Sequence, residues 1–208
     1  MSLRAPRLLP YGPAGWLVEL AAEDVVGYAA AVHRASDPAV AEVVPAARTV
    51  LVRLAEPGAR SRVGDWLVTL EADGSGAGAA ARDPVEIPVV YDGPDLHGVA
   101  DACGLSVEAV VDRHRGGRYV CAFCGFAPGF AYLTGLDASL HLPRRPTPRT
   151  RVPAGSVAIA AEYTAAYPSV SPGGWHLVGT TDAVLWDPAG AEPSLIRPGA
   201  TVRFVAAP

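Results

Sequence analysis

The first part of the chain alternates between hydrophobic patterns typical of strands and of helices. They predict a strand, a helix, two strands and a second helix, over residues 15–20, 24–34, 40–44, 49–54 and 60–70. Asp24 is placed to cap the first helix, and Pro45 to turn the chain between the two strands. In the second helix, Val63, Trp66 and Leu67 recur at the spacing of one buried face. This β-α-β-β-α order is compatible with a small split-βαβ sandwich.

A stretch rich in Gly and Ala follows, at residues 71–83, and it carries no hydrophobic period. Such composition is typical of a linker between domains. We therefore predict a first domain over residues 1–71, a linker over residues 72–84 and a second domain over residues 85–208.

The second domain opens with a strand and two helices and then becomes rich in short strands. The strand is predicted over residues 85–91 and the helices over residues 96–103 and 106–114, the second helix capped by Ser106. Beyond Tyr119 the helical period disappears. Short β-rich runs then alternate with Pro and Gly, at residues 157–160, 175–179, 183–186 and 201–205. This pattern predicts a barrel or sandwich, and the fold class is therefore α+β.

Composition narrows the class of protein. Half of the 208 residues are hydrophobic, 18% are charged and the net charge is −4. These values favour a packed globular protein over a disordered one and give no electrostatic reason to bind nucleic acid or anionic membrane. No apolar run reaches the roughly 18–20 residues that span a bilayer. The N-terminus also lacks the apolar core of a secretory signal, so a cytoplasmic location is expected.

The residue types that are missing exclude some chemistry. All 17 basic residues are arginine, and the chain has no lysine, asparagine or glutamine. Without lysine there is no Walker-A phosphate loop, Schiff base or biotinyl-lysine. Without side-chain amides, an oxyanion hole must use backbone N–H groups, hydroxyls, His or Arg.

Three cysteines, Cys103, Cys121 and Cys124, are too few and odd in number for a disulfide framework. Cys121 and Cys124 form a C-x-x-C within a predicted strand. Residues three apart on a strand point to opposite faces, so we interpret both as buried thiols rather than a metal or redox pair.

Three segments carry candidate chemistry. Residues 125–136 combine glycines, a proline and aromatics in a predicted loop that is suited to wall a small-molecule pocket, although it is equally compatible with an ordinary buried loop. Residues 143–153 carry Arg144, Arg145, Arg149 and Arg151 among prolines, and such guanidinium groups suit a carboxylate or phosphate. The alternative is that individual arginines only solvate this loop or pair with acidic residues.

The third segment, residues 164–177, offers hydroxyls and glycine N–H groups. A Ser171–His176–Asp182 triad can be drawn, but no G-x-S-x-G elbow supports it and we reject it. The other histidines show no metal-ligand spacing, so no metal site is predicted.

These segments resemble one known family, variously called 5-oxoprolinase B subunit, allophanate hydrolase subunit 1 and sporulation-kinase inhibitor. The matching words are VVPAARTVLVRL (residues 43–54), GFAPGFAYLTGLD (125–137), TPRTRVPAGSVAIA (147–160), YPSVSPGGWHLVGTT (167–181) and RPGATVRFV (197–205). Together they cover nearly the whole chain.

The resemblance implies a ferredoxin-like N-terminal domain and a cyclophilin-like β-barrel. It also implies an ATP-dependent cyclic amide hydrolase that opens 5-oxoproline to glutamate. The partners that it implies are the A and C subunits of the 5-oxoprolinase, of which the C subunit is larger and homologous to this chain. ATP, with Mg²⁺, is expected to be shared with those partners.

A mechanism that fits is phosphorylation of the lactam followed by hydrolysis, with the arginine loop stabilising the charge. We predict Arg149, Arg151 and Tyr167 as catalytic residues. The predicted substrate-binding residues are Phe126, Pro128, Gly129, Phe130, Arg145, Thr164, Ser171, Gly173, Gly174 and Trp175.

One position departs from the family pattern. Members usually carry Gln-Thr-Gly before Tyr-Pro, whereas Tyr163 stands here in place of the amide and Thr164 remains. A different substrate, or a loss of activity, is one consequence to test. Two other interpretations stay open: a non-enzymatic regulator that binds a histidine kinase, and one subunit of a urea or allophanate pathway enzyme.

Overall fold

The computed structural model describes residues 6–70 and 83–207, which fall into two compact units separated at residue 81. The predicted linker, residues 72–84, lies outside the described residues except for its last two positions, so that prediction stays untested. Across the two described ranges, no helix has the length and hydropathy to cross a membrane.

The first unit contains a four-stranded antiparallel sheet in the order β1-β2-β4-β3. Its elements are β1 (Arg7–Pro10), β2 (Gly15–Glu19), α1 (Val25–Ala35), β3 (Val40–Pro45), β4 (Thr49–Leu54) and α2 (Arg60–Thr69). The five predicted elements are confirmed to within one or two residues. Strand β1 was missed because it is short, lies at the sheet edge and ends in Pro10.

Alternate residues of the central strands point into one core. Val18, Val50 and Val52 are fully buried and pack with the apolar faces of both helices. The hydroxyl of Tyr28 donates to the Leu67 carbonyl at 2.7 Å, which joins α1 to α2. Asp24 occupies the N-cap position of α1, but its side chain makes no capping hydrogen bond, so the predicted cap is wrong.

The order of elements also bears on the ferredoxin-like expectation. In a ferredoxin-like β-α-β-β-α-β fold the last strand follows the second helix. Here the strand that pairs with β2 at the edge comes first in the chain. The expectation is therefore not confirmed.

The second unit is built on one seven-stranded sheet, in the order β12-β9-β10-β7-β6-β13-β5. Its elements are β5 (Val85–Val89), α3 (Leu96–Cys103), α4 (Val107–Gly116), β6 (Tyr119–Cys124), β7 (Ala131–Thr134), β8 (Arg149–Val152), β9 (Ser156–Ala160), β10 (Tyr163–Ala166), β11 (Ser171–Gly173), β12 (His176–Thr180) and β13 (Thr201–Ala206). Val90, just after β5, exchanges backbone hydrogen bonds of 2.9 and 2.8 Å with Thr180 at the other edge. The sheet is thus a nearly closed barrel, as predicted, and β8 and β11 form a separate ribbon.

Both faces of the barrel wall are buried at β9. Val157 and Ile159 point into the barrel core, whereas Ala158 and Ala160 belong to a second cluster on the opposite face. The small alanine side chains on that face leave room for large aromatic rings. This second cluster carries the pocket described below.

Helices α3 and α4 have the predicted positions, and Ser106 caps α4 by accepting a hydrogen bond from the Ala109 N–H at 3.1 Å. Other expectations fail. Residues 131–134 and 149–152 are strands inside segments predicted as loops, and residues 183–186 form only an isolated bridge at Trp186. The strands at residues 131–134 and 149–152 were not predicted, because glycine, proline and arginine surround these short segments.

One histidine is sealed inside the barrel. His114 is 1% exposed, and its Nδ1 lies 2.7 Å from the Tyr91 hydroxyl. Its Nε2 lies 2.8 Å from the Thr164 hydroxyl, which itself donates to the Ala158 carbonyl. Thr164 must therefore accept from Nε2–H, and in the neutral ring Nδ1 accepts from the Tyr91 hydroxyl. Burial lowers the pKa of His114 to about 3.

Candidate functional site

A small open pocket lies on the outer face of the barrel wall, over the alanine-rich side of β9 and β10. Its cavity volume is about 90 Å³. For comparison, a cavity needs roughly 10–15 Å³ to hold one water molecule. The pocket therefore has room for a ligand of several heavy atoms. The lining residues are Phe126, Phe130, Tyr132, Arg144, Tyr167, Pro172, Gly173, Gly174 and Trp175.

Aromatic rings in edge-to-face contact form the walls. Phe130 is the centre of this cluster, with ring centroids 5.0 Å from Tyr132, 5.2 Å from Tyr167 and 5.6 Å from Trp175. Such contacts lock the rings in place, because each ring edge meets a neighbouring face. The result is a rigid apolar wall that is suited to a flat, compact ligand.

The loop that begins at Gly125 supplies the exposed rim of this wall. The Gly125 N–H donates to the Phe130 carbonyl at 3.1 Å, which closes the loop on itself. Phe126 has a φ of 70° and remains 58% exposed. A positive φ is unfavourable for a bulky residue, and such strain is concentrated at functional sites. The fold thus holds an apolar ring in solvent at the pocket mouth.

Tyr167 contributes a hydroxyl group to the pocket. Its ring is buried at 2% exposure, and its hydroxyl oxygen lies against Gly173, where a Cβ atom would overlap with it. Burial raises the pKa of Tyr167, although Arg144 and Arg149 nearby oppose the rise. The hydroxyl is therefore protonated at neutral pH and able to donate a hydrogen bond to a ligand.

Arg144 supplies the positive charge at the pocket. It is exposed and, among residues 6–70 and 83–207, has no ion-pair partner. Its charge lowers the pKa of both Tyr132 and Tyr167, against the larger effect of burial. This guanidinium is available to an anionic ligand.

Asp95 organises the loop that carries Arg144. This carboxylate is 8% exposed and accepts hydrogen bonds from Arg145 at 2.6 Å and from both terminal nitrogens of Arg149 at 2.8 and 2.9 Å. It also accepts from the Leu177 N–H at 2.8 Å. Burial raises the pKa of Asp95, but hydrogen bonds from Arg149 and Leu177 and both arginine charges outweigh this and lower it. Asp95 thus pairs with Arg145 and Arg149, whereas Arg144 lines the pocket.

The structure brings together six of the predicted site residues at the pocket. These are Phe126, Phe130, Tyr167, Gly173, Gly174 and Trp175. Tyr132 and Pro172 also line the pocket and were not among the predicted site residues. Sequence analysis named Arg144 only as part of the arginine loop. The pattern signals a loop rich in arginine, but it does not say which guanidinium remains unpaired after folding.

The other predicted site residues lie elsewhere. Thr164 is fully buried, and its hydroxyl is occupied by His114 and the Ala158 carbonyl. Arg145 and Arg149 face Asp95, and Arg151 is exposed on β8 without lining the pocket.

Pro128, Gly129 and Ser171 also do not line the pocket. Gly129 has a φ of 81° and lies against Trp186, and the Ser171 hydroxyl donates to the Ser169 carbonyl. His176 Nε2 contacts the Pro143 carbonyl at 2.9 Å, so no hydrogen bond of the described residues joins Ser171 to His176. The rejected triad finds no support.

Tyr163, the departure from the family pattern, lies behind the pocket wall. Its ring contacts those of Tyr132 and Phe123 edge-on, with centroids 5.7 and 5.9 Å apart. Tyr163 does not itself line the pocket. Its direct effect is on the packing of Tyr132.

A nucleotide with its metal ion does not fit these residues. The cavity is far smaller than the roughly 300–1,000 Å³ of pockets that enclose drug-sized ligands. Within the described ranges, no cluster of three or more His, Cys, Asp or Glu side chains is placed to hold a metal. Asp95, the carboxylate behind the pocket, is already occupied by two arginines.

Comparison with known proteins places the chain in a family. Residues 6–196 match the model of the carboxyltransferase domain, subdomain C and D. The B subunit of 5-oxoprolinase from Escherichia coli O157:H7 is 46% identical over 180 residues, which cover 81% of this chain and 78% of that protein.

Two solved structures share the fold. TTHA0988 superposes with a TM-score of 0.81 at 38% identity, covering 93% of this chain, although this chain spans only 40% of that one. The Kluyveromyces lactis urea carboxylase superposes with a TM-score of 0.69 at 17% identity, over 98% of this chain and 22% of that one, which shows a common fold. The chain therefore belongs to the carboxyltransferase-domain family, subdomains C and D, and within it to the group of 5-oxoprolinase B subunits.

Proposed function

We propose that this chain is the B subunit of an ATP-dependent 5-oxoprolinase, which opens 5-oxoproline to glutamate only in complex with partner subunits. The observation that carries the proposal is the pocket, where a protonated Tyr167 hydroxyl and the unpaired Arg144 meet at a rigid aromatic wall. The name of the Escherichia coli relative supports the choice of substrate.

The chemistry of 5-oxoproline matches the pocket. The substrate is a compact five-membered lactam that carries one carboxylate. The aromatic wall takes the apolar ring edge, and Arg144 binds the carboxylate. Tyr167 donates a hydrogen bond to the lactam oxygen and so orients the carbonyl carbon for attack by water. The ring C–N bond then breaks, and its nitrogen takes up a proton to become the amino group of glutamate.

Arg149 acts in this proposal as a positioning residue. Its paired bonds to Asp95 fix β8 and the loop before it, and that loop carries Arg144. A direct catalytic role for Arg149 would require it to leave Asp95. The catalytic role of Arg151 stays a prediction, since this exposed side chain is free to reach a group presented by a partner.

We place the nucleotide on the A subunit or on the larger, homologous C subunit of the complex. The small cavity and the occupied Asp95 support this division. When bound there, ATP would supply a phosphoryl group that activates the lactam oxygen, and this group would leave as inorganic phosphate once the ring has opened. This chain would contribute substrate binding and orientation. We further propose that the barrel is cyclophilin-like and that the first unit is a ferredoxin-like sandwich with its edge strand moved to the N-terminus.

The second candidate function is regulation of a histidine kinase, and the exposed Phe126 at the pocket mouth is the feature that favours it. An exposed aromatic ring is typical of the centre of a protein interface. Participation in a urea or allophanate pathway enzyme is the third, suggested by the shared fold with urea carboxylase.

Co-purification separates these functions. A tagged copy of the chain, produced in its native cell, is expected to recover homologues of the A and C subunits in stable proportion. Recovery of a histidine kinase instead would overturn the enzymatic proposal in favour of regulation. Recovery of a biotin-dependent carboxylase would favour the urea pathway.

A further inference from the structure

Cys121 and Cys124 lie side by side, contrary to the sequence prediction that they face opposite sides of a strand. Their sulfur atoms are 3.8 Å apart. The cause is a register shift in β6: Cys121 pairs with Leu133 but Phe123 pairs with Tyr132, so Ala122 is an extra residue. A β-bulge of this kind reverses the alternation of side chains beyond it. The prediction of opposite faces was therefore wrong.

The two thiols have unequal surroundings. Cys121 is fully buried, whereas Cys124 is only partly buried. The hydrogen bond from Cys121 lowers the pKa of Cys124, against the opposing effect of burial. That same contact and burial raise the pKa of Cys121. Cys124 is thus the more nucleophilic and more accessible of the two.

We propose that Cys121 and Cys124 form a thiol pair that a peroxide oxidises to an intrachain disulfide. The two sulfur atoms lie 3.8 Å apart and must approach to about 2 Å to form the disulfide bond. A metal site is the weaker interpretation, because the described residues offer no third His, Cys, Asp or Glu ligand beside the pair.

The oxidation proceeds in two balanced steps. The Cys124 thiolate attacks one oxygen of hydrogen peroxide, the O–O bond breaks, and the departing hydroxide takes up a proton to leave as water. This leaves Cys124 as a sulfenic acid. Cys121 then attacks the Cys124 sulfur, the S–O bond breaks, and the hydroxyl leaves as a second water with the Cys121 proton. Two electrons pass from the two thiols to the peroxide, and a cellular dithiol reverses the change.

The pair occupies a sensitive position in the chain. Cys124 ends β6 and is followed directly by Gly125, whose N–H closes the loop that carries Phe126 and Phe130. Formation of the disulfide would therefore act on the strand end that holds this loop. The proposed disulfide itself does not depend on the proposed enzymatic function, and its test needs no substrate.

Thiol counting on the full chain tests the proposal. The reduced protein is expected to take three maleimide labels when denatured, one for each free cysteine. After hydrogen peroxide it is expected to take one label, at Cys103, and after dithiothreitol three again. Peptide mapping should then find Cys121 and Cys124 joined within one chain. Three labels after peroxide, or a disulfide that contains Cys103 or joins two chains, would overturn the proposal.

Single variants supply the matched controls. Cys103→Ser is expected to lose both remaining labels on oxidation and to regain both on reduction. Cys121→Ser lacks the second thiol, so peroxide should leave Cys124 as a sulfenic acid that dimedone traps. If Cys121→Ser instead retains two unmodified thiols under the same peroxide, Cys124 is not the attacking residue and the proposed sequence of steps is wrong.

Discussion

Arg149 places both of its terminal nitrogens on the two carboxylate oxygens of Asp95, at 2.8 and 2.9 Å. Asp95 immediately precedes α3, Arg149 begins β8, and the same carboxylate accepts from the backbone of β12. One buried group thus ties together three elements around the pocket. The position of Arg144 at the pocket depends on this connection.

Asp95→Asn should destabilise the second unit, because it leaves two guanidinium groups facing a neutral amide. We expect a loss of about 2 kcal/mol in the free energy of unfolding. This is below the roughly 3–5 kcal/mol of fully buried pairs, because both arginines are partly exposed. Urea unfolding measures the loss. Asp92→Asn, at an exposed carboxylate that accepts from the Thr180 hydroxyl, is the matched control and should change little. Equal unfolding midpoints for the two variants would contradict the role given to Asp95.

Acidification should destabilise the second unit through His114. The pKa of His114 is lowered to about 3 by burial, whereas an unfolded histidine titrates near 6.5. Between these values the unfolded chain binds the extra proton, so the free energy of unfolding falls as the pH falls. The slope contributed by this residue reaches at most about 1.4 kcal/mol per pH unit. Asp95, with its pKa lowered, keeps its contribution until about pH 4 and loses it only below that.

A comparison of wild type with His114→Phe isolates the contribution of His114 to the pH dependence. His114→Phe leaves the Tyr91 and Thr164 hydroxyls without their partner, so it should be less stable than wild type at pH 7. The difference in urea unfolding free energy should then narrow between pH 7 and pH 5, because only wild type carries the histidine. A difference that stays constant over this range would mean that His114 takes up a proton as readily in the fold as in the unfolded chain.

Parts of this fold follow from local sequence and parts do not. Helices α2 and α3 repeat apolar residues at helical spacing, so their positions were predicted to within one residue. The Cys121–Cys124 contact depends on a bulge, and no alternation pattern reveals an extra residue in one strand. Asp95 lies 50 and 54 residues from its two arginine partners. Tertiary packing decides which arginine stays unpaired at the pocket. The local sequence of the loop, which contains all four arginines, does not decide it.

Gly173→Ala should reduce the space in the pocket beside Tyr167. A Cβ at this position would overlap with the Tyr167 hydroxyl, and the buried ring has little space in which to move. We expect 5-oxoproline binding to the assembled complex to weaken at least about tenfold, as measured by calorimetric titration. Gly174→Ala meets nothing nearer than Pro148 at 3.5 Å, so its effect should be much smaller. Equal losses in both variants would show that Tyr167 does not face the ligand.

Arg144→Ala and Arg151→Ala test two different roles, binding of the substrate carboxylate by Arg144 and stabilisation of transition-state charge by Arg151. If Arg144 binds the substrate carboxylate, its removal should raise KM by about tenfold or more, the cost of one charge-assisted hydrogen bond. If Arg151 stabilises charge only in the transition state, its removal should lower kcat and leave KM nearly unchanged. Arg203→Ala, on the exposed side of β13, controls for the loss of one positive charge. A normal KM in Arg144→Ala would remove this residue from substrate binding.

The most direct test of the central proposal is glutamate release from 5-oxoproline by the reconstituted complex. The chain is mixed with its partners, the homologues of the A and C subunits, and glutamate is measured with and without ATP. We expect glutamate only when ATP and all three proteins are present, and a strongly reduced rate when Tyr167→Phe replaces the wild-type chain. Equal glutamate release without this chain, or none from a complex that assembles, would contradict the assignment as the B subunit of a 5-oxoprolinase.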